Sequence, residues 1–160
     1  MVLAMSFGAD RAEVSAHAAM RVDRVVVKKS RRQLCLMYRD SLVKKYRVAL
    51  GKDPVGPKVR RGDGRTPEGT YRISGRNPRS KYHLSLRISY PDARDRARAD
   101  SLGVSPGGDI MIHGLKNGYE WIGSRHRQRD WTLGCIAVTN REIEELWEAV
   151  PDGTPIVIEP

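Results

Sequence analysis

The sequence predicts a mainly β, α+β fold: a β-sandwich or barrel-like sheet with helices at its periphery. Three observations carry this. Short runs rich in Val, Ile, Leu and Tyr recur between Gly, Pro and Asp punctuation. Only two segments carry helix start and stop signals. A chain of 160 residues with 39% apolar side chains supports one core and one domain. The composition also excludes several classes. No run approaches the ~18–20 apolar residues of a membrane-spanning helix. Gly (15) and Pro (9) are scattered without period, against collagen-like or low-complexity chains. Two cysteines are too few for a disulfide-stapled miniature fold.

The elements follow in chain order. Residues 1–21 read as an N-terminal tail or a degenerate export signal. Val2–Ala9 is mildly apolar but interrupted by Ser6 and Gly8, and Ala16-His17-Ala18 has the small-x-small spacing of a cleavage site. Residues 22–160 are expected to form the domain. The β-branched run Val22–Val27 predicts a strand, and Gln33–Tyr38 a second. Asp40-Ser41 marks a turn into a third strand, Leu42–Leu50, giving an antiparallel hairpin. Gly51–Glu68 is dense in Gly and Pro and reads as a long surface loop, the kind that often carries function. Gly69–Ser74 and Tyr82–Ser89 read as strands. Pro91 opens a short helix over Asp92–Leu102, stopped by Gly103. Ser105–Gly108 is a turn, Asp109–His113 a short strand and Leu115–Arg129 irregular. Trp131–Val138 reads as strand and turn. The clearest helix begins at Thr139-x-x-Glu142, a capping box. Ile143, Leu146, Trp147 and Val150 then fall on one face until Pro151-Asp152-Gly153 stops it. Ile156–Ile158 is a closing strand.

Charge is uneven. The net charge is +10, and residues 21–100 hold 23 basic against 8 acidic side chains, whereas residues 101–160 hold 5 against 9. Such a block attracts anionic partners or simply keeps a surface solvated. The basic residues alternate with apolar ones, so they read as outward faces of strands. Neither aromatic stacking platforms nor a groove-entering helix accompany them, which argues against nucleic acid as a partner.

The chemistry-bearing stretch is Ile110-Met111-Ile112-His113-Gly114, then Trp131-Thr132-Leu133-Gly134-Cys135-Ile136-Ala137-Val138. A thiol nucleophile needs a base within hydrogen-bond reach, and imidazole is the usual one. A Gly before the Cys allows close approach of a substrate, and backbone N–H groups there can hold an oxyanion. From the residues alone, other readings stay open. Cys135 can be an inert buried thiol, or a zinc ligand with His113 and His126, although no standard zinc spacing is present. Cys35, between Leu34 and Leu36, reads as a structural thiol. A Cys35–Cys135 disulfide would abolish thiol chemistry. His83 reads as an ordinary strand residue.

His113-Gly114 followed by Thr132-x-Gly134-Cys135-Ile136 resembles the signature of the L,D-transpeptidase catalytic domain of bacterial cell-wall enzymes. Gly56-Pro57-Lys58, Gly62–Tyr71 with its Thr66-Pro67-Glu68-Gly69 turn, Ile88–Pro91 and Asp130–Thr132 agree with it. With Cys135–Asn140, the last two resemble one Gram-negative branch. The resemblance spans about residues 22–160. It implies a mainly β fold, no cofactor, no metal, and acyl transfer through a thioester at Cys135. His113 is then the base, its other nitrogen held by a backbone carbonyl. Gly134 and Cys135 supply oxyanion N–H groups, and Thr132 and Gly114 support the site. The implied partner is a peptidoglycan stem peptide, with an outer-membrane lipoprotein peptide as a further candidate, and the implied location is the cell envelope, in the periplasm. Two positions depart from the family pattern. Ala137 stands where most members have Arg, and Leu133 where a small or polar residue is commoner. Amide hydrolysis, or a non-catalytic wall-binding module, are therefore alternatives to cross-linking. Arg125, Arg127 and Arg129 are candidate replacements for the missing Arg, Asp130 a candidate partner for one of them, and Tyr90 and Trp121 candidate groove residues.

Overall fold

The computed structural model describes residues 20–160; the expectation of a tail or export signal falls mostly on residues 1–19 and lies, with His17, outside the described residues. The chain begins with an antiparallel meander of β1 (Arg24–Lys28), β2 (Gln33–Tyr38) and β3 (Ser41–Arg47). Its tight turn is Arg39-Asp40, with φ of 48° and 63°. Positive φ at both central residues matches the right-handed twist of a two-residue hairpin. The predicted third strand therefore starts one residue earlier and stops at Arg47, leaving Ala49 and Gly51 as isolated bridges.

Next come β4 (Gly69–Ser80), β5 (His83–Ile88), α1 (Ala93–Ser101), β6 (Met111–His113), β7 (Ile136–Ala137), α2 (Asn140–Ala149) and β8 (Pro155–Glu159). The eight strands run β3-β2-β1-β8-β4-β5-β6-β7 across one sheet. The closing strand of the sequence is thus a central strand of the sheet, parallel to β1 and antiparallel to β4. Its Ile156 and Ile158 are almost wholly buried, each worth roughly 2–3 kcal/mol of transfer free energy. The two ends of the sheet meet, because Ala49 exchanges both backbone hydrogen bonds with Ala137 (3.0 and 2.9 Å). Gly51 bridges Thr132 beside it. The result is the mainly β, barrel-like sheet with two helices that the sequence predicts.

Both helices start on a full capping box, Asp92 with Asp95 in α1 and Thr139 with Glu142 in α2. α2 packs Ile143 and Leu146 over β5 and β6. Three local readings need correction. β4 runs six residues beyond Ser74, because register shifts near Gly75 and after Asn77 let a bulged strand continue. Residues 120–128 are not irregular but a 3-10 stretch broken at Gly123. Of Trp131–Val138, read as strand and turn, the strand is only Ile136–Ala137, and the turn that carries the cysteine precedes it.

The basic residues do not all face outward. Lys29 and Lys58 are 2% and 3% exposed. Lys29 pins the long Gly51–Glu68 loop to the sheet through the Gly56 and Thr66 carbonyls (2.8 Å each) and Glu68 (3.1 Å). Lys58 pairs with Asp63 inside that loop.

Candidate active site

His113 ends β6, and Cys135 immediately precedes β7. The two strands are parallel, with Ile112 opposite Ile136 and His113 opposite Ala137. Residues two apart along a strand share a face, so this register turns Cys135 and His113 the same way. Both line one cavity of about 630 Å³, together with Lys58, Tyr82, Asp109 and Trp131. Leu133 stands at its rim, 73% exposed.

His113 is oriented on three sides. Its Nδ1 lies 2.7 Å from the Gly114 carbonyl. A carbonyl only accepts, so Nδ1 carries the proton and Nε2 keeps the lone pair. Tyr82 stacks on the ring (centroids 4.4 Å apart, tilted 34°), and Trp131 meets it edge-on at 5.7 Å. Gly114 fits because a Cβ there would come within 2.7 Å of Asn140 Oδ1, on the first turn of α2. Burial, only partly offset by the Gly114 carbonyl, pushes the imidazole below the ordinary histidine range.

The thiol sits on a turn tied by one hydroxyl. Thr132 Oγ1 donates to the Cys135 carbonyl (2.7 Å) and accepts the Gly134 N–H (3.1 Å). Gly134 has φ 138°, and a Cβ on it would lie 2.7 Å from the Arg65 carbonyl. Only glycine fits that approach to the 51–68 loop. Cys135 Sγ donates to the Asp109 carbonyl at 3.4 Å rather than to the imidazole. Burial pushes the thiol above its ordinary range, outweighing the Met111 N–H and the Lys58 charge, which pull it down. Both shifts favour the uncharged forms of the thiol and the imidazole that line this cavity. Both cysteines are free, with Cys35 buried on β2.

Several sequence candidates lie elsewhere. The Gly134 N–H is already spent on Thr132, so it is no oxyanion donor in this state. Tyr90 is core: its ring meets Tyr71 edge-on, and its hydroxyl donates to the Pro106 carbonyl at 2.7 Å. Arg125, Arg127 and Arg129 do not line the cavity. The 3-10 stretch holds them beyond Trp131, where Arg125 and Arg129 border a separate, mostly apolar hollow and Arg127 reaches Glu142. Trp121 is 70% exposed beneath Arg125, also outside the cavity. Asp130 pairs with none of the three. It takes a bidentate bond from Arg32 (3.0 and 2.7 Å) and the Leu50 N–H (3.0 Å). Ala137 is fully buried between β6 and Ala49, a place without room for an arginine. His126 bonds the Trp131 indole and His83 bonds Glu144. Among the described residues, no group of three or more His, Cys, Asp or Glu side chains is placed to share a metal ion. The cations facing the cavity are instead Lys58, Arg61, Arg79 and Lys81. The sequence offered only a weak signal for them: Lys58 falls in the Gly56-Pro57-Lys58 motif, and Arg79 and Lys81 flank the turn between β4 and β5.

The fold and the sequence have counterparts among known proteins. Residues 22–158 match the L,D-transpeptidase catalytic domain (YkuD) family, and the chain belongs to it. Over 111 residues it is 31% identical to "Putative L,D-transpeptidase YafK" of Escherichia coli K12, an alignment covering 68% of this chain and 37% of that protein. Among solved structures, the helical cell shape determining protein Pgp2 of Campylobacter jejuni superposes with a TM-score of 0.68 at 28% identity. That match covers 88% of this chain and 48% of Pgp2. An Enterococcus faecium L,D-transpeptidase shares the fold at 13% identity, with a TM-score of 0.55 over 87% of this chain and 50% of that one. The chain spans between about a third and a half of the length of these relatives.

Proposed function

We propose that this chain is a cysteine acyl-transfer enzyme acting on peptidoglycan stem peptides in the cell envelope. The observation that carries the reading is the shared cavity of Cys135 and His113, with the imidazole held in the tautomer that leaves Nε2 as a base. The thiol leaves the Asp109 carbonyl and passes its proton to Nε2 as sulfur attacks the substrate carbonyl. The C=O electrons move onto oxygen, which in this reading the Cys135 N–H meets, the Gly134 N–H being bonded to Thr132. The oxyanion collapses, the C–N bond breaks, and Nε2–H protonates the departing amine. A thioester remains on Cys135. An incoming amine, deprotonated by Nε2, resolves it into a new amide; water resolves it into a free acid. Membership of the L,D-transpeptidase catalytic domain family, and a relative named as a putative L,D-transpeptidase, support this reading.

The test is a digest of muropeptides with purified protein and with Cys135→Ala. The wild type is expected to convert tetrapeptide stems, and the variant to leave them unchanged. Identical product profiles would refute the enzyme reading and favour a wall-binding module. New cross-links mark transfer to an amine. Shortened stems or a released lipoprotein peptide mark hydrolysis.

A further inference from the structure

Two lysines are buried at the 51–68 loop, and they are used differently. An ammonium has three N–H donors. Lys29 has three protein acceptors, the Gly56 and Thr66 carbonyls and Glu68, which makes it a structural pin. Among the described residues Lys58 has two, Asp63 Oδ1 at 2.8 Å and the Arg60 carbonyl at 3.1 Å. It also lines the cavity that holds Cys135 and His113, and its charge acts on the sulfur.

The Lys58 head group is held in place before any ligand arrives. Asp63 accepts the backbone N–H groups of Val59 (2.8 Å), Arg60 (3.1 Å) and Arg65 (3.1 Å), which fixes the partner carboxylate. Arg98 of α1 donates to the Lys58 carbonyl at 3.1 Å and fixes the backbone. Asp109, the carboxylate on the same cavity wall, is engaged by Arg87 at 3.1 Å. With Ala137 buried and uncharged, β7 contributes no cation here.

We propose that Lys58 anchors a carboxylate of the acyl donor beside the reacting carbonyl, so that the site selects donors carrying a free carboxylate over neutral ones. The third N–H of a desolvated, preoriented ammonium makes a charge-assisted bond to such an anion. That the donor is a stem peptide rests on the function proposed above; the carboxylate preference at the thiol does not.

The experiment compares alkylation of Cys135 by iodoacetate and iodoacetamide in the full chain at low salt. The two reagents share a leaving group and differ in charge. Peptide mapping separates Cys135 from Cys35, and N-acetylcysteine gives the unassisted rate ratio. The wild-type iodoacetate-to-iodoacetamide ratio is expected to exceed that of N-acetylcysteine by about tenfold. It should fall to the free-thiol ratio in Lys58→Met/Asp63→Asn, which neutralises both partners and leaves no unpaired buried charge. Arg61→Gln and Arg79→Gln should keep most of the preference. A wild-type ratio no larger than the free-thiol one overturns the anchor, with no variant needed. So does an unchanged ratio in the double variant, or an equal loss in the rim variants. A preserved preference in a protein that leaves muropeptides untouched would instead overturn the functional reading and keep the anchor.

Discussion

Desolvation decides the resting protonation of the two central side chains. Burial raises the Cys135 thiol and lowers the His113 imidazole, which disfavours the thiolate–imidazolium pair common in thiol enzymes. In the proposed reaction the proton moves as sulfur bonds to carbon. Alkylation of Cys135 by iodoacetamide is therefore expected to rise with pH to a midpoint above the ~8.5 of a free cysteine. The measurement is the pseudo-first-order rate from pH 5 to 10. A plateau extending below pH 7 would establish a preformed ion pair. Around the thiol, a single hydroxyl does two jobs, since Thr132 Oγ1 ties both Gly134 and Cys135. The Thr-x-Gly-Cys spacing is thus the covalent description of one hydrogen-bonded turn.

At the scale of elements, the site is where three short pieces converge. β6 brings the imidazole, the turn before β7 brings the thiol, and the first turn of α2 closes the corner. There Asn140 Oδ1 accepts the Leu115 N–H at 2.8 Å and leaves no room for a side chain at Gly114. The orientation of α2 depends on its cap, where Thr139 Oγ1 accepts the Glu142 N–H and Glu142 Oε1 accepts the Thr139 N–H. Thr139→Ala is expected to cost about 1 kcal/mol. Chemical denaturation should show a lower midpoint with an unchanged slope. A lower slope would instead mean that the helix frays as a unit.

For the whole molecule, closure of the sheet has a consequence in acid. The segment between β6 and β7 folds back over the barrel end and buries His126, whose Nδ1 accepts the Trp131 indole N–H at 3.2 Å. Burial first, and the Arg127 charge after it, pushes this imidazole down to about 4. Unfolded, it titrates near ~6.5, so between these values the unfolded chain binds more protons. The stability contribution is fully present above about pH 6.5 and disappears as pH falls to about 4, a loss on the order of 3 kcal/mol. His126→Asn keeps an acceptor for the indole but does not titrate. Its unfolding free energy, followed by urea titration at successive pH values, should fall less over that window than the wild type's. Equal slopes would show that His126 charges without penalty.

Much of this protein is written locally. Short β-branched and apolar runs and the Thr139 capping box specify strands and a helix through interactions spanning a few residues, which is why these elements were readable from the chain; the hairpin was readable too, with its turn one residue earlier, at Arg39-Asp40, than the Asp40-Ser41 the sequence suggests. The His113-Gly114 and Thr132-x-Gly134-Cys135 motifs stood out through their resemblance to a family signature, while the residues alone left an inert thiol or a zinc ligand open. What pairs with what was not readable. β8 enters the middle of the sheet beside β1, and Ala49 meets Ala137, through contacts between residues far apart in sequence. Nothing in Arg125, Arg127 or Arg129 announced that Trp131 would stand between them and the cavity. Lys58 was marked only by its place in the Gly56-Pro57-Lys58 motif, which says nothing of its burial. Only folding sets which charges lose their water, and desolvation, rather than sequence proximity, determines where the thiol's proton rests and which cation faces it.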